Sequence, residues 1–330
     1  MTPRPRIPLI VVTGFLGSGK TTFINHLISS GCIPAPSIYV NEAGAVGLDQ
    51  ALYDQSLDAI SLLEGGCACC YQPGRLAELL VEDLMQQDNG ARPRCSHVIV
   101  ETSGLADPAV MLASVAEHPY LFMRLMPAEV VTVIEAPAGP QNLLEFVEAR
   151  TQVELADHLF VSKSAAAGKD DLQSLQGKLN AANPVARIWQ DLDPAVHQHL
   201  ARQLSGQERS SALMTGEKHG GPGRPPQHTP GLSHVVFSTA ARMEQGAVRV
   251  GLEALVRICG SDLIRVKGII QSEGATPVAV NAVRQLIAPF VAVPNSARWQ
   301  GDSTLVFFVR NIQPEALHDF WSALTRLYPR

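Results

Sequence analysis

Two short stretches of this chain carry residue types suited to chemistry. The first is Gly14-Phe15-Leu16-Gly17-Ser18-Gly19-Lys20-Thr21-Thr22, which fits the pattern G-x-x-x-x-G-K-[ST]. Gly14, Gly17 and Gly19 let the backbone curl so that N–H groups point at anionic oxygens, and Ser18 and Thr22 complete the cradle. Lys20 is placed to reach the β- and γ-phosphates, and the Thr21 hydroxyl to ligate Mg²⁺. The second is Cys67-Ala68-Cys69-Cys70. Thiolates are soft ligands for Zn²⁺, Co²⁺ or Cu⁺. Three thiols so close in sequence do not readily close a tetrahedral shell, so a further ligand must come from water, a carboxylate or another molecule. Such an open site suits transfer of a metal better than permanent structure. A redox pair and small buried apolar groups are the other uses of such cysteines.

A phosphate loop of this kind needs an acidic partner on a second buried strand. Glu101 ends the run Val98-Ile99-Val100-Glu101 and suits Mg²⁺, and Gly104 behind it permits close backbone approach to a γ-phosphate. Glu42 and Asp49 flank a glycine-rich loop where, in a P-loop protein with nucleotide bound, Mg²⁺ or the attacking water is often contacted; solvated carboxylates are the plain alternative. Arg75 suits either a phosphate contact or the surface, and the histidines are scattered without a ligand pattern.

The elements that must position these groups alternate between strand and helix. Ile7–Val12 reads as a buried strand before the loop, and Phe23, Ile24, Leu27 and Ile28 as the apolar face of the helix after it, with Gly31 as a stop. Further strands are expected at Ser37–Asn41, Ala59–Leu63, His97–Glu101, Glu129–Ile134 and Leu159–Ser162. Helices are expected from Pro73 to Gln87, from Pro108, and over Leu143–Leu155. Such alternation implies an α/β fold with a doubly wound, mainly parallel sheet and the phosphate loop at its carboxyl edge.

Residues 1–205 form this first domain by our reading. Residues 206–231, rich in glycine and proline, read as a flexible linker, and 232–330 as a smaller α+β domain. In the latter we expect strands at Ser233–Ser238, Asp262–Gln271, Val278–Leu286 and Thr304–Val309, and helices at Glu244–Ile258 and Pro314–Leu327. A chain of 330 residues that is 46% hydrophobic supports two cores. The formal net charge of −5 offers no basic footprint for nucleic acid, and no apolar run is long enough for a membrane helix. A cleavable leader would remove the phosphate loop, so a cytoplasmic setting is expected. The six cysteines are not spaced as a disulfide framework.

Taken together these stretches resemble the CobW-type family of P-loop GTPase metallochaperones. The residues that carry the resemblance are GFLGSGKTT at 14–22, NEAGAVGLD at 41–49, GGCACC at 65–70 and ETSGLADP at 101–108, with RVKG at 265–268 and TLVFFVRN at 304–311 in the second domain. The resemblance implies a P-loop NTPase fold and a GTP-controlled metal carrier that delivers its ion to a client metalloprotein, with homo-oligomerisation open. It implies that Lys20, Thr21 and Glu101 carry GTP and Mg²⁺, that Cys67, Cys69 and Cys70, with Glu42, carry Zn²⁺ or Co²⁺, and that Lys163 lies beside the nucleotide. Two motifs depart from the family. Where it usually reads N-K-x-D, this chain has Ser162-Lys163-Ser164-Ala165, without the carboxylate that grips guanine; where it reads N-E-F-G-E, this chain has Ala45 in place of the second carboxylate. A nucleotide-binding regulatory or scaffold protein with little turnover is therefore the alternative expectation.

Overall fold

The computed structural model describes residues 6–29, 31, 33–40, 60–62, 73–126, 128–183, 186–191, 200, 204, 232–272, 276–283, 286–287, 290–292 and 302–327. The chain divides into two compact units, Met1–Glu208 and Arg209–Arg330. The expected linker at 206–231 lies outside the described residues.

Among the described residues of the first unit seven parallel strands lie in the order β3-β2-β4-β1-β5-β6-β7. They are β1 (Leu9–Thr13), β2 (Ser37–Val40), β3 (Ile60–Leu62), β4 (Val98–Glu101), β5 (Glu129–Glu135), β6 (His158–Ser162) and β7 (Arg187–Gln190). Every residue of β1, β2, β4 and β6 is buried. That is the burial of a sheet covered on both faces, and it explains why these strands are continuous apolar runs. The helices are α1 (Lys20–Ser29), α2 (Pro73–Asp88), α3 (Pro108–Glu117), α4 (Pro119–Arg124), α5 (Gly139–Glu145), α6 (Val147–Glu154) and α7 (Lys169–Ala182).

Two expectations change here. The helix expected over Leu143–Leu155 is two helices, broken at Phe146, whose backbone is extended (φ −112, ψ 124). The break leaves carbonyls at the end of α5, and Arg150 Nη1 donates to two of them, Leu143 O and Leu144 O, both at 2.9 Å. The edge strand β7 was not expected: Trp189 is its one buried residue, so it has no apolar run to betray it.

Among its described residues the second unit is a six-stranded antiparallel sheet with two α-helices. Its strands are β8 (Leu232–Thr239), β9 (Leu263–Ile270), β10 (Val278–Val283), β11 (Leu286–Ile287), β12 (Val291–Ala292) and β13 (Ser303–Arg310), in the order β11-β10-β9-β13-β8 with β12 paired to β10. Helices α8 (Gln245–Cys259) and α9 (Pro314–Leu327) pack their apolar stripes, Val248, Leu252, Leu255, Leu317 and Trp321, against Val235, Phe237, Val266, Leu305 and Phe307. The strand expected over Val278–Leu286 ends at Val283. The chain then turns back, and β11 pairs with β10 (Ala282↔Ile287, Val283↔Leu286).

Candidate functional site

The loop after β1 has the curled backbone that the sequence called for, with Gly14, Gly17 and Gly19 at φ 145, 74 and 92. At Gly14 a side chain is excluded by space as well, because a Cβ would lie 2.3 Å from Val133 O on β5. Lys20 is the first residue of α1, and its Nζ donates to Gly14 O at 3.0 Å and Phe15 O at 3.4 Å. The ammonium is thus folded over the loop at the positive end of the helix, a place suited to a phosphate chain. Ser18 is buried under the loop, while Thr22 is exposed on α1.

Sheet register brings Glu101 to this loop. Val12 on β1 pairs with Glu101 on β4, so the carboxylate leaves the sheet beside the strand that feeds the loop. Thr21 Oγ1 donates to Glu101 Oε1 at 3.0 Å, and Thr102 Oγ1 donates to Thr13 Oγ1 at 2.8 Å. A hydroxyl and a carboxylate in contact are two hard oxygen ligands of the kind Mg²⁺ takes, so these residues fit that ion. Gly104 follows in the turn before α3 and packs on the loop itself: a Cβ there would be 2.6 Å from Leu16 Cδ2 and 2.8 Å from Leu16 N.

Lys163 closes the other side. Its Nζ donates to Gly17 O at 3.0 Å and to Glu135 Oε1 at 2.8 Å, and the preceding Ser162 Oγ donates to Ser18 O at 2.7 Å. The backbone of Lys163 is left-handed (φ 54), and Asp191 holds it there, accepting the N–H of Lys163 at 2.6 Å and of Ser164 at 3.0 Å. The sequence reading missed Glu135 and Asp191. Glu135 had a signal, a carboxylate ending an apolar strand as Glu101 does; Asp191 had none, because it ends the strand that lacked an apolar run.

Cys67, Cys69, Cys70, Glu42 and Asp49 lie outside the described residues. Their flanking elements are described. β2 ends at Val40, just before Asn41-Glu42; β3 ends at Leu62, just before the cysteines; and α2 begins at Pro73, just after them. Among the described residues no group of three His, Cys, Asp or Glu side chains is arranged to hold a metal. Burial pushes the thiols of Cys95 and Cys259 above the usual range, which disfavours the ligating thiolate. Arg75 pairs with Glu78 at 3.6 Å on the surface. No helix among the described residues is long and apolar enough to cross a membrane.

Residues 8–190 match the family described as CobW/HypB/UreG, nucleotide-binding domain, and residues 232–325 match the cobalamin synthesis protein cobW C-terminal domain. Zinc chaperone YjiA of Escherichia coli (strain K12) is 29% identical over 183 residues, covering 55% of this chain and 57% of that protein. Zinc chaperone CobW of a Sinorhizobium species is 32% identical over 139 residues, covering 40% and 38%. The chain thus spans about half the length of the curated relatives it matches. The crystal structure of Zn(II)-bound YjiA GTPase from E. coli superposes with a TM-score of 0.68 over 97% of this chain and 99% of that one, at 18% identity, which establishes a shared fold. With one family covering the parallel-sheet unit and its companion covering the antiparallel one, the chain belongs to the CobW family of P-loop proteins.

Proposed function

We propose that this protein is a GTP-dependent metal chaperone that binds Zn²⁺ or a similar ion through Cys67, Cys69 and Cys70, with Glu42 as a further ligand, and delivers it to a client metalloprotein as GTP is hydrolysed. The observation that carries the reading is a strand register. Val40 pairs with Glu101 on one side and with Leu62 on the other. Three strand ends therefore stand side by side: one leads to Glu42, one leads to the cysteines, and one ends in Glu101. Adjacent strands are about 5 Å apart, so the cysteine segment leaves the sheet roughly 10 Å from the Glu101 strand. A change at the phosphate end therefore acts within that distance of the strand from which the cysteine segment departs.

Lys20 and the loop N–H groups hold the β- and γ-phosphates in this proposal, and Thr21 and Glu101 hold Mg²⁺. Bound there, Mg²⁺ offsets charge on the phosphate oxygens. Hydrolysis is attack of an in-line water on the γ-phosphorus, with GDP as leaving group, and is slow without a partner. Zn chaperone names among the relatives and the Zn(II) bound in the YjiA structure support zinc as cargo. Ala165, where a guanine-reading carboxylate is usual, favours one second reading: a nucleotide-binding regulator with relaxed base specificity.

A paired titration tests the proposal. Zn²⁺ affinity is measured against a chromophoric chelator with GTP and Mg²⁺, with GDP and Mg²⁺, and with no nucleotide, in the wild type and in Cys69→Ala. We expect at least about a tenfold difference between nucleotide states in the wild type, a coupling of roughly 1.4 kcal/mol, and weak binding in every state for the variant. Zn²⁺ affinity that ignores nucleotide rejects the carrier reading.

A further inference from the structure

Gln152 lies on α6, outside every motif of the sequence, and is fully buried. Its Nε2 donates to Gly104 O at 3.0 Å and to Ala106 O at 3.1 Å. Both carbonyls belong to the turn between Glu101 and α3, the turn in which Gly104 presses on Leu16 of the phosphate loop. The helix that delivers Gln152 is itself fixed. Thr132 Oγ1 on β5 donates to Gln152 O at 2.7 Å, and Asn183 Nδ2 donates to Val153 O, Glu154 O and Ala156 O at 2.8, 3.1 and 2.9 Å. The start of the same helix touches the loop directly, since Phe146 stacks on Phe15 with ring centroids 4.5 Å apart. Gln152 and Ser18 also line one recess behind the loop. One short helix therefore grips both the loop after β1 and the turn after Glu101.

We propose that Gln152 is a positioning residue that locks the Gly104–Ala106 turn for recognition of a terminal phosphate. This rests on the nucleotide reading above. The two N–H bonds of one buried amide hold two carbonyls of one turn, so the turn moves only if both donors are left unsatisfied in a dry interior. A diphosphate is held by the loop backbone and Lys20, which Gln152 does not touch. A triphosphate needs the turn as well, so the amide separates the two ligands.

The test uses the full chain with Mg²⁺, GDP and the non-hydrolysable β,γ-imido analogue of GTP. Gln152→Glu keeps the shape but sets a carboxylate against two carbonyls, and Gln152→Met keeps the volume without the donors. We expect both variants to weaken the imido analogue by about 10- to 100-fold while GDP affinity changes less than about threefold, with single-turnover hydrolysis slowed in parallel. In the wild type, amide exchange across 102–107 is expected to slow with the imido analogue and not with GDP, a measurement that does not depend on a variant folding. Equal losses for the two nucleotides, or no loss for either, overturn the role of Gln152 and leave nucleotide binding standing. A wild type that binds neither nucleotide overturns the nucleotide reading and this inference together.

Discussion

The Asp191 carboxylate accepts the backbone N–H of Lys163 at 2.6 Å through one oxygen and that of Ser164 at 3.0 Å through the other. The Lys163 loop is thereby held in shape from the neighbouring strand, and Lys163 Nζ is aimed at Gly17 O and Glu135. Position 165 carries an exposed alanine. This arrangement secures the loop without supplying a carboxylate from within it. On the second reading, with relaxed base specificity, the wild type discriminates GDP from ADP by less than about tenfold, and Ala165→Asp raises that ratio by about tenfold or more, since an acceptor to the base is restored. Asp191→Ala should weaken both nucleotides alike by releasing the loop. Competition against a fluorescent nucleotide measures all three; strong guanine preference in the wild type rejects the argument.

Thr21 and Glu101 make a second, separable prediction. Their 3.0 Å hydrogen bond places two hard oxygens where Mg²⁺ fits. Glu101→Gln preserves an acceptor for the Thr21 hydroxyl but removes the charge. Affinity for the imido analogue with Mg²⁺ should fall by about tenfold or more, while GDP affinity in excess EDTA should stay nearly unchanged. A variant equally impaired in EDTA would show that Glu101 supports the fold and not the ion.

Why some of this site was legible in the sequence follows from its physics. The loop and Glu101 are fixed by local rules: glycines where φ is positive, a lysine at a helix start, a carboxylate ending an apolar strand. Parallel strands buried on both faces are continuous apolar runs, so β1, β2, β4, β5 and β6 were readable. Lys163, Glu135 and Asp191 meet across three strand ends, and nothing local marks such a meeting. β7 hid because an edge strand with one buried residue has no run. Gln152 hid more completely, since a polar residue inside a helix reads as solvent-facing until the turn it holds is known. At the break at Phe146, Arg150 caps α5 from the neighbouring helix and Phe146 stacks on Phe15, the latter a tertiary contact that helical spacing does not show.

Gly104→Ala tests the contact between turn and loop. The added Cβ would meet Leu16 N at 2.8 Å and Leu16 Cα at 3.0 Å, backbone atoms that cannot swing aside, so turn and loop must separate. The cost of such overpacking is about 1–3 kcal/mol. Part of it should appear as lower thermal stability and part as lost triphosphate affinity, with hydrolysis slowed by about tenfold or more. Melting curves with and without the imido analogue separate the two. A variant with full stability and full activity would mean that the turn is free to shift.

The last prediction concerns β2 and α2, the strand that leads to Glu42 and the helix that follows the three cysteines. Asp83 on α2 accepts from Tyr39 Oη at 2.5 Å, from Gln87 Nε2 at 2.9 Å and from Arg92 Nη1 at 2.7 Å, tying α2 to β2 in the core. Burial, and then the hydrogen bond to Asp83, push the Tyr39 phenol well above its ordinary value of 10.0. The sign follows. Below pH 10 the phenol is protonated in the folded and unfolded chain alike, so its bond contributes fully. Above that the unfolded tyrosine ionises while the folded one does not, and stability falls as pH rises. Tyr39→Phe removes a bond to a charged acceptor and should cost about 1.5–3 kcal/mol near neutral pH. The gap between wild type and variant should then narrow at alkaline pH, because the variant lacks the group that ionises on unfolding. Urea denaturation of both proteins between about pH 7 and pH 11 measures it. A gap that stays constant across that range would mean that Tyr39 titrates normally and that the tie between β2 and α2 is not the buried, charge-assisted contact described.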